Sequence, residues 1–214
     1  MRLVQLLKQQ GLTMSQIKSY QANHQILVNG TKQKLATPLK MGDYVTLDGM
    51  LLKEKPLVYY LFNKPKGVVC TNNDNLDTSI KHYLPADGVF CVGRLDKESH
   101  GLMIITNDGD FANFLLTSGK VGKTYRVTVK DAITESFKKR MSEPFILRGR
   151  TSKEVIIHYL DDLQFEITLF EGMYHQIRRM VIDSGNRVTD LLRVKIGPYQ
   201  LDDLKEGMFK QIDK

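Results

Sequence analysis

The chain reads as an α+β protein in two parts, a small N-terminal α/β module and a larger domain with a mixed, mainly antiparallel sheet and flanking helices. Three observations predict this. Strand-like and helical periods alternate at irregular intervals, Gly, Pro, Asn and Asp signals separate the strand runs, and charge and texture change near residue 57. A chain of 214 residues can bury one substantial core and carry an appended module as well.

Composition narrows the class. Apolar residues make up 42% and charged residues 26%, the mix of a soluble globular protein rather than a disordered or fibrous one. No apolar run approaches the roughly 20 residues that a spanning helix needs. The start "MRLVQLLKQQ" is too short and too polar for a secretory signal, so a cytoplasmic location without a membrane partner is expected. Cys70 and Cys91 lack CxxC spacing, which suggests neither a disulfide framework nor a zinc site, and both read as buried, reduced thiols.

The net charge is +7, and most of the surplus lies early: residues 1–57 hold eight Lys or Arg against three acids, a local +5. A basic lobe attracts polyanions, which leaves nucleic acid, an anionic membrane surface and acidic proteins open. The lack of a basic amphipathic helix with large apolar residues argues against the membrane.

Taken in order, "LVQLLKQQGLTMSQIKSY" has helical spacing at Leu3, Leu6 and Leu7, and Gly11 breaks it into two short helices. "QILVNGTK" predicts a strand ending in an Asn29-Gly30 hairpin turn, and "DYVTLDG" a second strand. The module is assigned residues 1–50. "MLLKEKPL" shows no period before Pro56, so residues 51–57 are assigned as a linker and 58–214 as the larger domain. There, "VYYLFNKPKGVVCT", "GVFCVGRLD", "GLMIITNDG", "KTYRVTV", "KEVIIHYL" and "QFEITLFE" predict strands. Helices are expected at "DFANFLLTS", "ITESFKKRM" and "HQIRRMVIDSG".

Several chemistries lack their motifs. There is no GxxxxGK[ST] phosphate loop, no GxGxxG and no GxSxG, and the five histidines lack HExxH spacing. Three stretches and one acid remain. In "NKPKG", Lys64 and Lys66 flank a proline before Gly67; such a loop can touch phosphate or simply end a strand. In "KTYRVTV", Tyr125 shares a face with Val127 and Val129, so it packs against a core or walls a pocket that stacks a base. In "EGMYHQIRRM", Ile177, Met180 and Val181 mark a buried face, and Arg178 and Arg179 flank it, exposed or reaching a carboxylate elsewhere. The acid is Asp96, in the charged loop of "GRLDKESHGLMIITNDG", a surface charge or a catalytic group.

Taken together, "GRLD", "GLMIITNDG", "KTYRV", "HQIRRM" and "IGPY", in that order, resemble the bacterial ribosomal-RNA pseudouridine synthases of the RsuA type. The front module is similar to the small RNA-binding domain of a ribosomal small-subunit protein, through "VNG" and "GDYVTLDG". It departs at Val4, where Asp is usual, and at "MSQ", where a Ser-Arg pair is usual. The resemblance implies that Asp96 acts at the ribose C1′ while the N1 glycosidic bond breaks, after which the uracil rotates and reattaches through C5. It further implies that Tyr125 stacks on the base and exchanges protons, that Arg178 pairs with Asp96, and that Arg94 helps hold the flipped nucleotide. Lys64, Lys66, Lys123 and Arg179 complete the expected RNA contacts. Ser99 and His100 depart from the usual residues before "GL", with His100 read as an exposed loop residue.

The chemistry of the set is coherent. A base extruded from folded RNA costs a few kcal/mol and needs a stacking pocket. A carboxylate that must stay ionised beside phosphates benefits from a guanidinium. An isomerisation needs no metal or cofactor, and none is expected. The expected partner is ribosomal RNA or a subunit-assembly intermediate, met by a monomer. Small-subunit RNA is the favoured substrate; large-subunit RNA, or a non-catalytic assembly factor, are the alternatives.

Overall fold

The computed structural model describes residues 1–71, 77–147 and 149–213. At the N-terminus, α1 (Leu3–Gln9) and α2 (Met14–Ala22) pack on a three-stranded antiparallel sheet of β1 (Ile26–Val28), β2 (Val45–Leu47) and β3 (Met50–Leu52). Thr13 opens α2 with reciprocal bonds: its Oγ1 accepts from the Gln16 amide at 3.3 Å, and the Gln16 Oε1 accepts from the Thr13 amide at 2.8 Å. Leu3, Leu6 and Leu7 meet Ile17, Ile26 and Val45 in one buried cluster. Asn29 and Gly30 both have positive φ, as the hairpin signal predicted.

One expectation fails here. Leu51 and Leu52, assigned to the linker, form β3 together with Met50 and pair with β2 in the register Leu47↔Met50. The signal was present: Asp48 and Gly49 also both have positive φ and form the two-residue turn that this register requires.

The larger sheet is built from β4 (Tyr59–Lys64), β5 (Phe90–Val92), β6 (His100–Thr106), β7 (Lys123–Val129), β10 (Ile156–Tyr159), β11 (Gln164–Leu169), β12 (Val188–Ile196), β13 (Tyr199–Gln200) and β14 (Phe209–Ile212). A short hairpin, β8 (Ile146–Leu147) with β9 (Arg150–Thr151), stands apart, and the helices are α3 (Gly109–Thr117), α4 (Glu135–Met141) and α5 (Gln176–Asp183). The main path runs β10-β11-β7-β12-β6-β4-β14, with β13 beside β12 and β5 beside β6. Every pairing is antiparallel except β12 with β6.

Strand β6 explains its own sequence. Leu102 and Ile104 face a cluster with Phe111 and Leu115 of α3, and Met103 and Ile105 face Phe62 and Ile80, so both sides are buried and the run is apolar throughout. Asp108 ends the run by capping α3, its Oδ1 accepting from the amides of Asp110 and Phe111 at 3.0 and 2.9 Å.

The sheet splits at the start of β6. Strand β4 occupies one edge of β6 along its length, so β12 and β5 share the other: β12 pairs only at Leu192↔His100 and Arg193↔Gly101, and β5 takes over at residues 104–106. Gly101 is required at this contact. Its φ is +102°, and a Cβ there would stand 2.5 Å from the Arg193 carbonyl oxygen. The loop carrying Asp96 leaves the sheet beside this split.

Strand β12 escaped the sequence reading because two register shifts, between Val188 and Asp190 and between Arg193 and Lys195, break its alternation. β13 and β14 were also missed, each being held by pairing with a distant or bulged strand. Both cysteines are free but half-buried rather than buried. Among the described residues, no helix is long and apolar enough to cross a membrane.

Candidate active site

Asp96 lies on the β5–β6 loop, Tyr125 is the third residue of β7, and Arg178 sits in the first turn of α5. All three line one cavity of about 310 Å³, and Arg94 joins them. The side chain of Asp96 is 37% exposed, so its carboxylate opens to the cavity without being bare to solvent. Tyr125 is half-buried and packs against hydrophobic clusters on two sides, which leaves its ring as a rigid wall.

The expected partner of Asp96 is corrected. Among the described residues no ion pair joins Arg178 to Asp96; one Arg178 Nη donates instead to the Glu98 carbonyl and the Ser99 hydroxyl, both at 3.3 Å. Arg178 therefore grips the loop just past Asp96, and buried Ser99 is its anchor. The group within ion-pair range of Asp96 is His175, whose Nε2 is 3.5 Å from Oδ1. His175 caps α5 in the left-handed conformation, φ 53°, with its ring stacked 3.8 Å from that of Tyr174. Buried Gln176 sets the turn before it: the Met173 amide donates to Gln176 Oε1 at 3.1 Å, and Gln176 Nε2 donates to Glu171 at 2.8 Å. Sequence reasoning passed over His175 and Gln176 although both lie inside the quoted "HQIRRM".

Lys64 also changes role. It is fully buried, and its Nζ donates to the Ser99 carbonyl at 2.7 Å and the Pro65 carbonyl at 2.9 Å, so it does not offer a phosphate an open charge. Burial pulls its ammonium below the usual range, opposed by Cys70, Asp96 and Glu98. Lys64 from beneath and Arg178 from the side thus hold the same Ser99 and, through it, the loop of Asp96.

Lys66 is half-exposed and forms an ion pair with Asp190. His100 is not an exposed loop residue: it begins β6 and its Nε2 is 3.0 Å from the same carboxylate. Burial pushes the Asp190 carboxyl up, but the bonds from Lys66 and His100 outweigh it and leave it below the usual range. Arg179 is half-buried over the Tyr174 ring, 5.4 Å from its centroid. Lys123 begins β7 half-buried, its Nζ donating to the Leu115 carbonyl at 3.3 Å. Among the described residues, no group of three or more His, Cys, Asp or Glu is placed to hold a metal ion.

The Asp96 carboxylate and the Tyr125 ring thus share one cavity beside the split of the sheet. Residues 58–182 match the RNA pseudouridylate synthase family, and the chain belongs to that family as a pseudouridine synthase. It is 34% identical to the ribosomal small subunit pseudouridine synthase A of Pasteurella multocida, over 94% of this chain and 91% of that one. It is also 34% identical to the dual-specificity RNA pseudouridine synthase RluF of Escherichia coli, over 87% of this chain and 66% of that one. A crystal structure of a pseudouridylate synthase, 32% identical, superposes with a TM-score of 0.69 and covers all of this chain and 96% of its own.

Proposed function

We propose that the chain converts a specific uridine of small-subunit ribosomal RNA into pseudouridine. The observation that carries the assignment of residues is the convergence of Asp96, Tyr125 and Arg178, from a loop, a strand and a helix, on one cavity. A volume of about 310 Å³ is at the low end for small-ligand pockets and suits one everted nucleotide. The Asp96 carboxylate faces C1′ of the ribose as the N1–C1′ bond breaks. The uracil turns over against the Tyr125 ring, C5 bonds to C1′, and the proton lost from C5 balances the one gained at N1. Arg94 holds the everted nucleotide from the same loop. Arg178 and Lys64 act by holding the loop, which matters because a misplacement of about 1 Å can cost a hundredfold in rate.

The small-subunit target is favoured by length rather than by identity, which is 34% to both relatives. The likeness to the small-subunit enzyme spans nearly all of both chains, whereas the dual-specificity enzyme is matched over only part of its length. The N-terminal module, with its +4 charge over residues 1–50 and exposed Tyr44, contributes RNA affinity, and the chain meets ribosomal RNA or an assembly intermediate as a monomer.

The test is a map of pseudouridines in ribosomal RNA from cells lacking the gene, repeated after restoring the wild type or Asp96→Asn. Loss of one small-subunit site that only the wild type restores supports the reading. A lost site in large-subunit RNA reassigns the target, and an unchanged map overturns the proposal.

A further inference from the structure

A second cavity of about 320 Å³ backs onto the first and shares Arg94, Tyr125 and Gly172 with it. Its walls are of two kinds. Ile104, Leu116 and Ile196 give it an apolar side, while Arg94, Lys123 and Arg193 bring three cations with no lining carboxylate among the described residues. Arg193 is only 2% exposed; its Nε donates to the Leu102 carbonyl at 2.6 Å, and its buried Nη2 has no partner among the described residues. The guanidinium lies 5.9 Å from the Tyr125 ring centroid, on the wall between the two cavities. Burying a guanidinium without a counter-ion is costly, and placing a half-buried ammonium beside it costs more. Burial and then the Arg193 charge pull the Lys123 ammonium below its usual range. The pairing of these cations with an apolar wall matches one ligand chemistry: a planar apolar body carrying an anion.

We propose that this second cavity receives the nucleotide next to the target uridine in the RNA strand, its phosphate between Lys123, Arg193 and Arg94 and its base on the Ile104–Leu116–Ile196 wall. The proposal rests on the reading that an everted uridine occupies the first cavity. Adjacent nucleotides are joined by a single phosphodiester, and the two cavities are separated only by shared side chains. The residue beside the target would then be read directly, and flanking-nucleotide contacts are one way base-flipping enzymes set sequence context.

The full-length protein is tested with a fluorescein-labelled oligouridylate, with affinity measured across salt concentrations. Lys123→Gln is expected to flatten the slope of log K against log salt by about 0.7, the value of one single-strand phosphate contact. Leu116→Trp, which fills the cavity from a partly exposed position on α3, should weaken binding without changing the slope. Asp96→Asn should keep the wild-type slope. Wild-type slope and affinity in both cavity variants, with native melting, overturn the subsite. The ribosomal-RNA map reads the first cavity and the salt slope reads the second, so the two proposals fail separately.

Discussion

The His175 imidazole stands 3.5 Å from the Asp96 carboxylate, held there by a left-handed backbone and a ring stacked on Tyr174. Asparagine tolerates that backbone better than most residues. His175→Asn should therefore keep the turn and α5 while removing the ring from Asp96. The expected result is a fall in kcat of about tenfold to a hundredfold with little change in KM, followed by tritium release from RNA labelled at uridine C5. A rise in KM alone would make His175 an RNA contact instead.

Arg178 holds the loop through Glu98 and Ser99 rather than through Asp96 itself. Arg178→Ala should lower turnover by about a hundredfold while RNA affinity stays within about threefold, since a loosened loop misplaces the Asp96 carboxylate without removing a phosphate contact. Equal losses in affinity and turnover would mean that the guanidinium grips the backbone of the RNA.

Lys64→Met keeps an unbranched side chain one atom shorter but removes the donor to the Ser99 and Pro65 carbonyls. Leaving buried acceptors unsatisfied should cost about 1–3 kcal/mol, read from the urea midpoint. The salt dependence of RNA binding should not move, because the side chain is buried. A flatter salt slope would restore Lys64 as a phosphate ligand.

Gly101→Ala puts a Cβ within 2.5 Å of the Arg193 carbonyl at a φ of +102°. The expected loss is about 2 kcal/mol or more, with activity falling further than stability because the β6–β12 contact borders the Asp96 loop. Wild-type stability in this variant would show that the sheet split is soft.

Asp190 has a folded pKa below its ordinary 3.8: burial raises it, and the bonds from Lys66 and His100 lower it by more. Between the folded and unfolded values the unfolded chain binds more protons, so this stabilisation is complete well above pH 4 and is lost as pH falls through the folded pKa. Asp190→Asn should flatten the acid limb of a urea-midpoint against pH curve. An unchanged acid limb would assign the pH dependence to other carboxylates.

Local chemistry carried much of the architecture. The 3.6-residue period placed the five helices, and the alternation of "KTYRVTV" put Tyr125 on the buried face with Val127 and Val129. The apolar run after Asp96 marked β6, a strand covered on both sides. Strand β12 was hidden because its bulges erase the two-residue period, and β3 because its Asp48-Gly49 turn follows a strand of only three residues.

Sequence alone therefore determined the order and type of most elements, because period and turn chemistry act between near neighbours, and its resemblance to the pseudouridine synthases marked Asp96, Tyr125 and Arg178 as candidates. Tertiary structure decided which polar group meets which: His175 rather than Arg178 beside Asp96, Lys64 turned inward, Asp190 shared by Lys66 and His100, and Arg193 buried with its Nη2 unpartnered among the described residues. Each of these depends on strands and helices far apart in the chain being packed to within a few ångströms, and no short-range pattern encodes that distance.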